Sequence, residues 1–122
     1  MNLTEPQKLW LAALRSGEYK QGKVKLQFKN EFCCLGVACK LAKSHDITVF
    51  EMASNHEIVG YHLASQGKVW EWIGLEHPQG RFKAEDGKME YLTDLNDRGW
   101  TFEQIADIIE ANAERIFRKR SL

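Results

Sequence analysis

Three cysteines are the first residues in the chain that could carry out a reaction. They lie within seven residues, at Cys33, Cys34 and Cys39. A cysteine at a strand-to-helix junction has its thiolate stabilised by the helix N-terminus, as a catalytic nucleophile requires. The alternative interpretation is that small apolar cysteines fill a buried helix. No motif of a known cysteine enzyme surrounds them, so the sequence favours a buried helix over a catalytic one. We therefore predict a protein without catalytic residues rather than an enzyme.

A metal ion could use these cysteines together with His45. Structural zinc sites, however, carry paired Cys-x2-Cys elements, and the sequence has none. The 17 acidic residues show no pattern that would single out a hydrolytic carboxylate pair. We therefore predict neither a metal site nor a cofactor.

A second group of residues is suited to binding rather than to reaction. Asn96, Asp97, Arg98, Trp100 and Thr101 stand at the start of a strongly predicted helix. A helix N-terminus offers free amides, an arginine offers a planar guanidinium, and a tryptophan offers a surface on which a base can stack. The pattern predicts a site for a small phosphate-bearing ligand. The alternative is a plain helix-loop-helix corner with a packed tryptophan and a solvated arginine.

A polar loop after the first predicted helix supplies three more candidate ligand contacts. These are Arg15, Tyr19 and Gln21. Loops positioned by a rigid scaffold often carry binding residues. Alternatively, Tyr19 covers the core.

Composition limits the classes of protein that the chain can represent. Its 122 residues, 43% hydrophobic and 28% charged, predict a single domain over residues 1–122 that folds without disulfide bonds or a structural metal ion. The 17 basic and 17 acidic residues cancel, which disfavours a nucleic-acid partner. Without a leader pattern or an apolar run of about 18 residues, the sequence predicts a cytoplasmic protein with reduced thiols and no membrane partner. A homo-oligomer stays possible.

Local signals outline the elements that must position these residues. Thr4-Glu5-Pro6-Gln7 and Thr101-Phe102-Glu103-Gln104 are capping boxes, and they predict helices over 5–15 and from 102 onward. The segment 34–42 is apolar on nearly every face, which predicts a buried helix. Gly36 inside it indicates that another element packs closely on its backbone.

The other segments give shorter elements. Alternation over 23–29 predicts a half-buried strand with a turn at Asn30-Glu31 and a return strand at 32–33. Further strands are predicted at 47–50, 57–63 and 81–83, and helices at 68–75 and 91–97.

An apolar stripe predicts which face of the last helix is buried. Its members are Phe102, Ile105, Ala106, Ile109, Ala113 and Ile116. Four cations lie at the end of this helix and complement its dipole, namely Arg115, Arg118, Lys119 and Arg120. The fold class predicted is α+β, a small antiparallel hairpin or sheet packed on a buried central helix with N- and C-terminal amphipathic helices.

Three motifs together resemble those of a group of short uncharacterised tailed-phage and prophage proteins. They are W-x-x-A-L-R-S-G at 10–17, C-C-L-G-V at 33–37 and L-N-D-x-G-x-T-F at 95–102. The group often has a bulky and an acidic residue around the third cysteine, where this chain has Ala38 and Lys40. The resemblance brings no catalytic residues and implies a viral protein acting inside an infected bacterial cell.

These observations predict a non-enzymatic phage-type accessory protein. It would counter a host defence by binding and sequestering a small nucleotide-like ligand at the Asn96 to Thr101 corner. One alternative is an inhibitor that binds a host enzyme through a protein interface. The other is a cysteine-dependent enzyme.

Overall fold

Six α-helices, a 3-10 turn at Leu63–Ser65 and five short strands form the regular structure of residues 2–119, the part of the chain that the computed structural model describes. The helices are α1 (Glu5–Arg15), α2 (Cys34–Ser44), α3 (Gly67–Ile73), α4 (Leu92–Asp97), α5 (Phe102–Ala111) and α6 (Ala113–Ile116). The strands are β1 (Lys20–Gln21), β2 (Gln27–Phe28), β3 (Glu31–Phe32), β4 (Arg81–Lys83) and β5 (Met89–Tyr91). The predicted α+β class is confirmed. Arg120 lies outside the described residues.

The first helix begins and ends where its sequence predicts. The Thr4 hydroxyl accepts the N–H of Gln7 at 3.3 Å, and the Gln7 side chain accepts the N–H of Thr4 at 3.0 Å. This capping box satisfies two amide donors at the N-terminus of α1. The helix buries Trp10 and Leu14 and packs against both α2 and α5.

The buried central helix is also confirmed. In α2, every residue from Cys34 to Cys39 is buried, and the Trp10 indole N–H donates to the carbonyl of Cys34 at 2.9 Å. A β-carbon on Gly36 would overlap the carbonyl oxygen of Leu26. The glycine therefore lets the segment before β2 cross α2 in backbone contact, as its place in an apolar helix predicted.

Two small sheets flank the helices. In one sheet β3 is central, with β1 parallel and β2 antiparallel to it, and in the other β4 and β5 form an antiparallel hairpin. The predicted return strand is present at Glu31–Phe32, and the turn falls at Lys29-Asn30, one residue earlier than predicted. The predicted pairing of 81–83 is confirmed.

The half-buried strand predicted over 23–29 is wrong for most of its length. Only Gln27–Phe28 pairs as a strand. Val24 adopts a left-handed backbone with φ of 69° and leaves its side chain 55% exposed. The N–H of Lys25 donates to the carbonyl of Lys23 at 2.8 Å, which makes the segment a tight turn of three residues instead of a strand.

The strands predicted at 47–50 and 57–63 are wrong as well. The chain here forms an isolated antiparallel bridge between Glu51, just after the first segment, and Ile58 in the second. The fully buried side chain of Gln66 accepts the N–H of Phe50 at 2.9 Å and donates to the carbonyls of Phe50 and Val59, both at 2.9 Å. A side-chain amide thus takes the place of a neighbouring strand, which residue alternation does not reveal.

The C-terminal third follows its pattern more closely. α3 ends at Gly74, which has a left-handed φ of 78°, and α5 begins with its capping box. Each residue of the predicted apolar stripe is buried, although the helix breaks at Asn112 into α5 and α6. None of the helices within residues 2–119 combines the length and apolarity needed to cross a bilayer.

The contact at Gly36 gives a test of the fold. Replacing Gly36 with Ala is expected to lower the free energy of unfolding by about 2 kcal/mol, because the added methyl group must displace the backbone at Leu26. Gly67→Ala is the matched control, since nothing lies within 4 Å of a β-carbon there. Urea denaturation should show Gly67→Ala unchanged or more stable by about 0.5 kcal/mol. Equal losses in the two variants would contradict the close approach.

Candidate functional site

Asn96 is fully buried and joins three segments of the chain. Its Oδ1 accepts the Gln21 side-chain amide at 3.0 Å and the backbone N–H of Cys34 at 3.1 Å. Its Nδ2 donates to the carbonyl of Gly22 at 2.8 Å. The sequence predicted Asn96 as a ligand contact, but its amide is directed at the protein itself. Its role in the structure is to hold the loop after β1 against the start of α2.

Gln21 extends this network to the corner between α4 and α5. Its Nε2 also donates to the carbonyl of Trp100 at 2.6 Å, and its Oε1 accepts the N–H of Phe102 at 3.1 Å. Thr101 and Gln104 satisfy each other's N–H groups at 3.0 and 3.1 Å. The amides expected to bind an anion at the start of α5 are therefore largely occupied by the protein's own side chains.

Asp97 holds the strained turn at Val24. Its Oδ1 accepts the Val24 N–H at 2.8 Å. A left-handed conformation is rare for a β-branched residue, so the carboxylate stabilises a backbone that would otherwise relax. Asp97 therefore belongs to the same internal network as Asn96 and Gln21.

Arg15 and Tyr19 also make contacts within the protein. The Arg15 guanidinium donates to Asp107 at 2.9 Å and to Glu110 at 3.0 Å, tying α1 to α5. The hydrogen bond that Arg15 donates to Asp107 is the main reason that the pKa of Arg15 is raised. Tyr19 packs edge-on against Phe32 with ring centroids 6.0 Å apart, and burial raises the pKa of its phenol.

Arg98 and Trp100 are predicted ligand contacts whose side chains reach the surface. Trp100 is 41% exposed, and the Arg98 guanidinium pairs with Glu90 at 3.1 Å on the surface. Both line an open cleft of about 440 Å³ between the β4–β5 hairpin, the α4–α5 corner and the end of α5, which we call the Trp100 cleft. The full lining is Phe82, Ala84, Glu90, Leu95, Arg98, Trp100, Ile108 and Asn112.

Several residues that line the Trp100 cleft were not predicted from the sequence as ligand contacts. Ile108 carries a usable signal, because it is an apolar residue that lies off the stripe of α5. Phe82 and Glu90 carry none, since their position depends on the pairing of β4 with β5. The cleft therefore combines two predicted residues, Arg98 and Trp100, with lining residues whose position depends on the tertiary fold.

The three thiols lie in the core and not at a reactive surface. Cys33 is 2% exposed, and Cys34 and Cys39 are fully buried. Burial raises the pKa of Cys33 to about 11 and raises the pKa of Cys34 and Cys39 as well. Thiolates would be scarce at neutral pH, which opposes the nucleophilic role considered for these residues. Within residues 2–119 no cluster of three or more Asp, Glu, His or Cys side chains is arranged to hold a metal ion.

Comparison with known proteins identifies a family. A model described as a domain of unknown function, DUF8296, matches residues 2–113. The chain belongs to this family. No curated protein and no solved structure matches the chain. The matched region includes the Asn96 network and every lining residue of the Trp100 cleft.

Loss of the Asn96 amide should destabilise the whole fold. Asn96→Ala leaves a buried N–H, a buried carbonyl and the Gln21 amide without this partner, and we expect a loss of about 3 kcal/mol in the free energy of unfolding. Asp94→Ala, an exposed change in the same helix, should cost less than about 0.5 kcal/mol. Chemical denaturation of both variants checks this, and similar midpoints would contradict the role given to Asn96.

The thiols should be inert in the folded protein. With an aromatic disulfide reagent at pH 7.5, we expect no fast reaction in native buffer and three equivalents of released thiolate in denaturant, because burial keeps the thiols protonated and shielded. A thiol that reacts within seconds under native conditions would restore the cysteine-enzyme alternative.

Proposed function

We propose that this protein is a non-enzymatic binding protein that sequesters a small nucleotide-like ligand in the Trp100 cleft. The observation that carries the proposal is the exposure of Arg98 and Trp100 together at the edge of one largely apolar cleft. An aromatic surface beside a guanidinium suits a ligand with a planar ring and an anionic group.

The cleft offers complementary surfaces for the two parts of such a ligand. Phe82 and Leu95, each almost fully buried, line it with apolar surface, and Ile108 adds a partly buried side chain. A planar ring entering here would lie against the Trp100 indole. A few polar groups around an apolar floor are the usual composition of small-molecule sites.

The anionic group of the ligand would compete with Glu90 for Arg98. In the structure this carboxylate accepts from the guanidinium at 3.1 Å. A phosphate carries more negative charge and more acceptor oxygens than a carboxylate, so it can displace or share the pair. Glu90 thus keeps Arg98 in place when the cleft has no ligand and weakens the binding of anions to it.

The biological context comes from the resemblance to short phage proteins. Sequestration of a nucleotide-derived signal would counter a defence of the infected cell without any chemical step. Burial of all three thiols supports a binding role over a cysteine-dependent reaction. The network around Asn96 supports it too, since a rigid corner presents Trp100 at low entropic cost.

A panel of linear and cyclic nucleotides, tested one at a time by thermal unfolding, checks the proposal. A ligand present at about 100 times its dissociation constant should stabilise the protein by roughly 2.7 kcal/mol, which is a shift of the order of 10 °C for a domain of this size. No shift with any member of the panel would argue strongly against nucleotide sequestration.

Variants then locate the site. Trp100→Ala and Arg98→Ala should each weaken binding of the active nucleotide roughly tenfold or more, while Trp100→Phe keeps part of the stacking. Glu90→Gln should strengthen binding, because it removes the competing charge. Arg81→Ala, an exposed arginine on β4 outside the cleft, is the control. Titration calorimetry measures all five, and binding unaffected in Arg98→Ala and Trp100→Ala would move the site elsewhere.

A further inference from the structure

A second open groove lies between residues 25–29 and 52–61 and shares no lining residue with the Trp100 cleft. Its volume is about 550 Å³. We call it the Phe28 groove, and its lining includes Lys25, Phe28, Lys29, Met52, Glu57 and Tyr61.

Large apolar side chains line this groove and face solvent. Phe28 is 48% exposed, Met52 is 48% exposed and Tyr61 is 57% exposed. Aromatic residues and methionine are enriched in protein interfaces, and several of them exposed side by side commonly mark an interaction site.

The two walls of the groove are tied together in a fixed shape. The N–H of Ile58 donates to the Gln27 side chain at 3.0 Å, and the N–H of Leu26 donates to the carbonyl of Gly60 at 2.9 Å. Lys29 and His56, one on each wall, have left-handed backbones with φ of 56° and 61°. Strained residues of this kind are concentrated at functional sites. The groove is therefore preformed.

Positive charge is concentrated on one wall. Residues 23–29 contain three lysines and no acidic residue, although the whole chain has a net charge of zero. The ammonium groups of Lys25 and Lys29 lie 5.1 and 5.5 Å from the centroid of the Phe28 ring. Neither joins an ion pair among residues 2–119. The nearby carboxylate of Glu57 accepts the backbone N–H of Lys29 at 3.1 Å.

We propose that the Phe28 groove docks an acidic segment of a partner protein. Apolar side chains of that segment would pack on Phe28, Met52 and Tyr61, and its carboxylates would pair with Lys25 and Lys29. Charge complementarity of this kind fixes the register and accelerates encounter. A single-stranded nucleic acid fits less well, because the chain as a whole has no net charge to attract a phosphate backbone.

A random peptide library displayed on phage and selected on the full-length protein tests this proposal. We expect the enriched peptides to combine acidic residues with leucine or aromatic residues. Synthetic copies should bind the protein roughly tenfold or more weakly after Phe28→Ser and after the double change Lys25→Glu and Lys29→Glu, and high salt should weaken binding. Met89→Ser and Lys40→Glu, exposed changes outside the groove, are the matched controls and should bind as the unchanged protein does.

Other occupants of the groove give different results. Binding of a fluorescent single-stranded oligonucleotide that Lys25→Glu abolishes would overturn the proposal in favour of nucleic acid. A dimer in sedimentation velocity that Phe28→Ser dissociates would assign the groove to a second copy of the chain. Enrichment of no acidic peptides, or of peptides insensitive to both groove variants, would also overturn it. None of these outcomes depends on nucleotide binding in the Trp100 cleft.

Discussion

One buried side-chain amide connects the parts of this fold. Asn96 satisfies the first amide of α2 and a carbonyl in the loop after β1, and it orients Gln21, which in turn holds the Trp100 carbonyl and the start of α5. An unpaired polar group in the core would cost more free energy than any single surface contact contributes. The geometry of the α4–α5 corner therefore depends on a residue that no solvent molecule reaches.

The helices could be predicted from the sequence because their signals are local. Capping boxes at Thr4 and Thr101 and the apolar periodicity of α2 and α5 each lie within a few residues. The return strand and the pairing of 81–83 could be predicted as well, but the strands expected over 23–29, 47–50 and 57–63 failed because side chains supply hydrogen bonds there. Gln66 completes the hydrogen bonding that a strand at 47–50 would have made, and Asp97 holds Val24 out of the predicted strand. Period-two alternation describes only a residue's own segment.

The candidate site likewise has residues that could be predicted from the sequence and contacts that could not. Arg98 and Trp100 could be singled out by residue type, and both line a cleft. The pattern could not show that Gln21 reaches Phe102, 81 positions away, and takes the amide expected to bind an anion. It also gave no indication of the floor that Phe82 supplies. Polar residues near a helix start suggest binding, yet the same residue types build internal networks, and only tertiary distances separate the two roles.

The position of Asn96 along the chain has a consequence for synthesis on the ribosome. When the first 90 residues have emerged, α2 lacks the partner for its first amide, and α1 lacks the α5 surface on which it packs. We expect the N-terminal three quarters to stay incompletely packed until the last helices follow. A chain truncated before this point would leave the core faces of α1 and α2 that pack on α4 and α5 exposed to solvent.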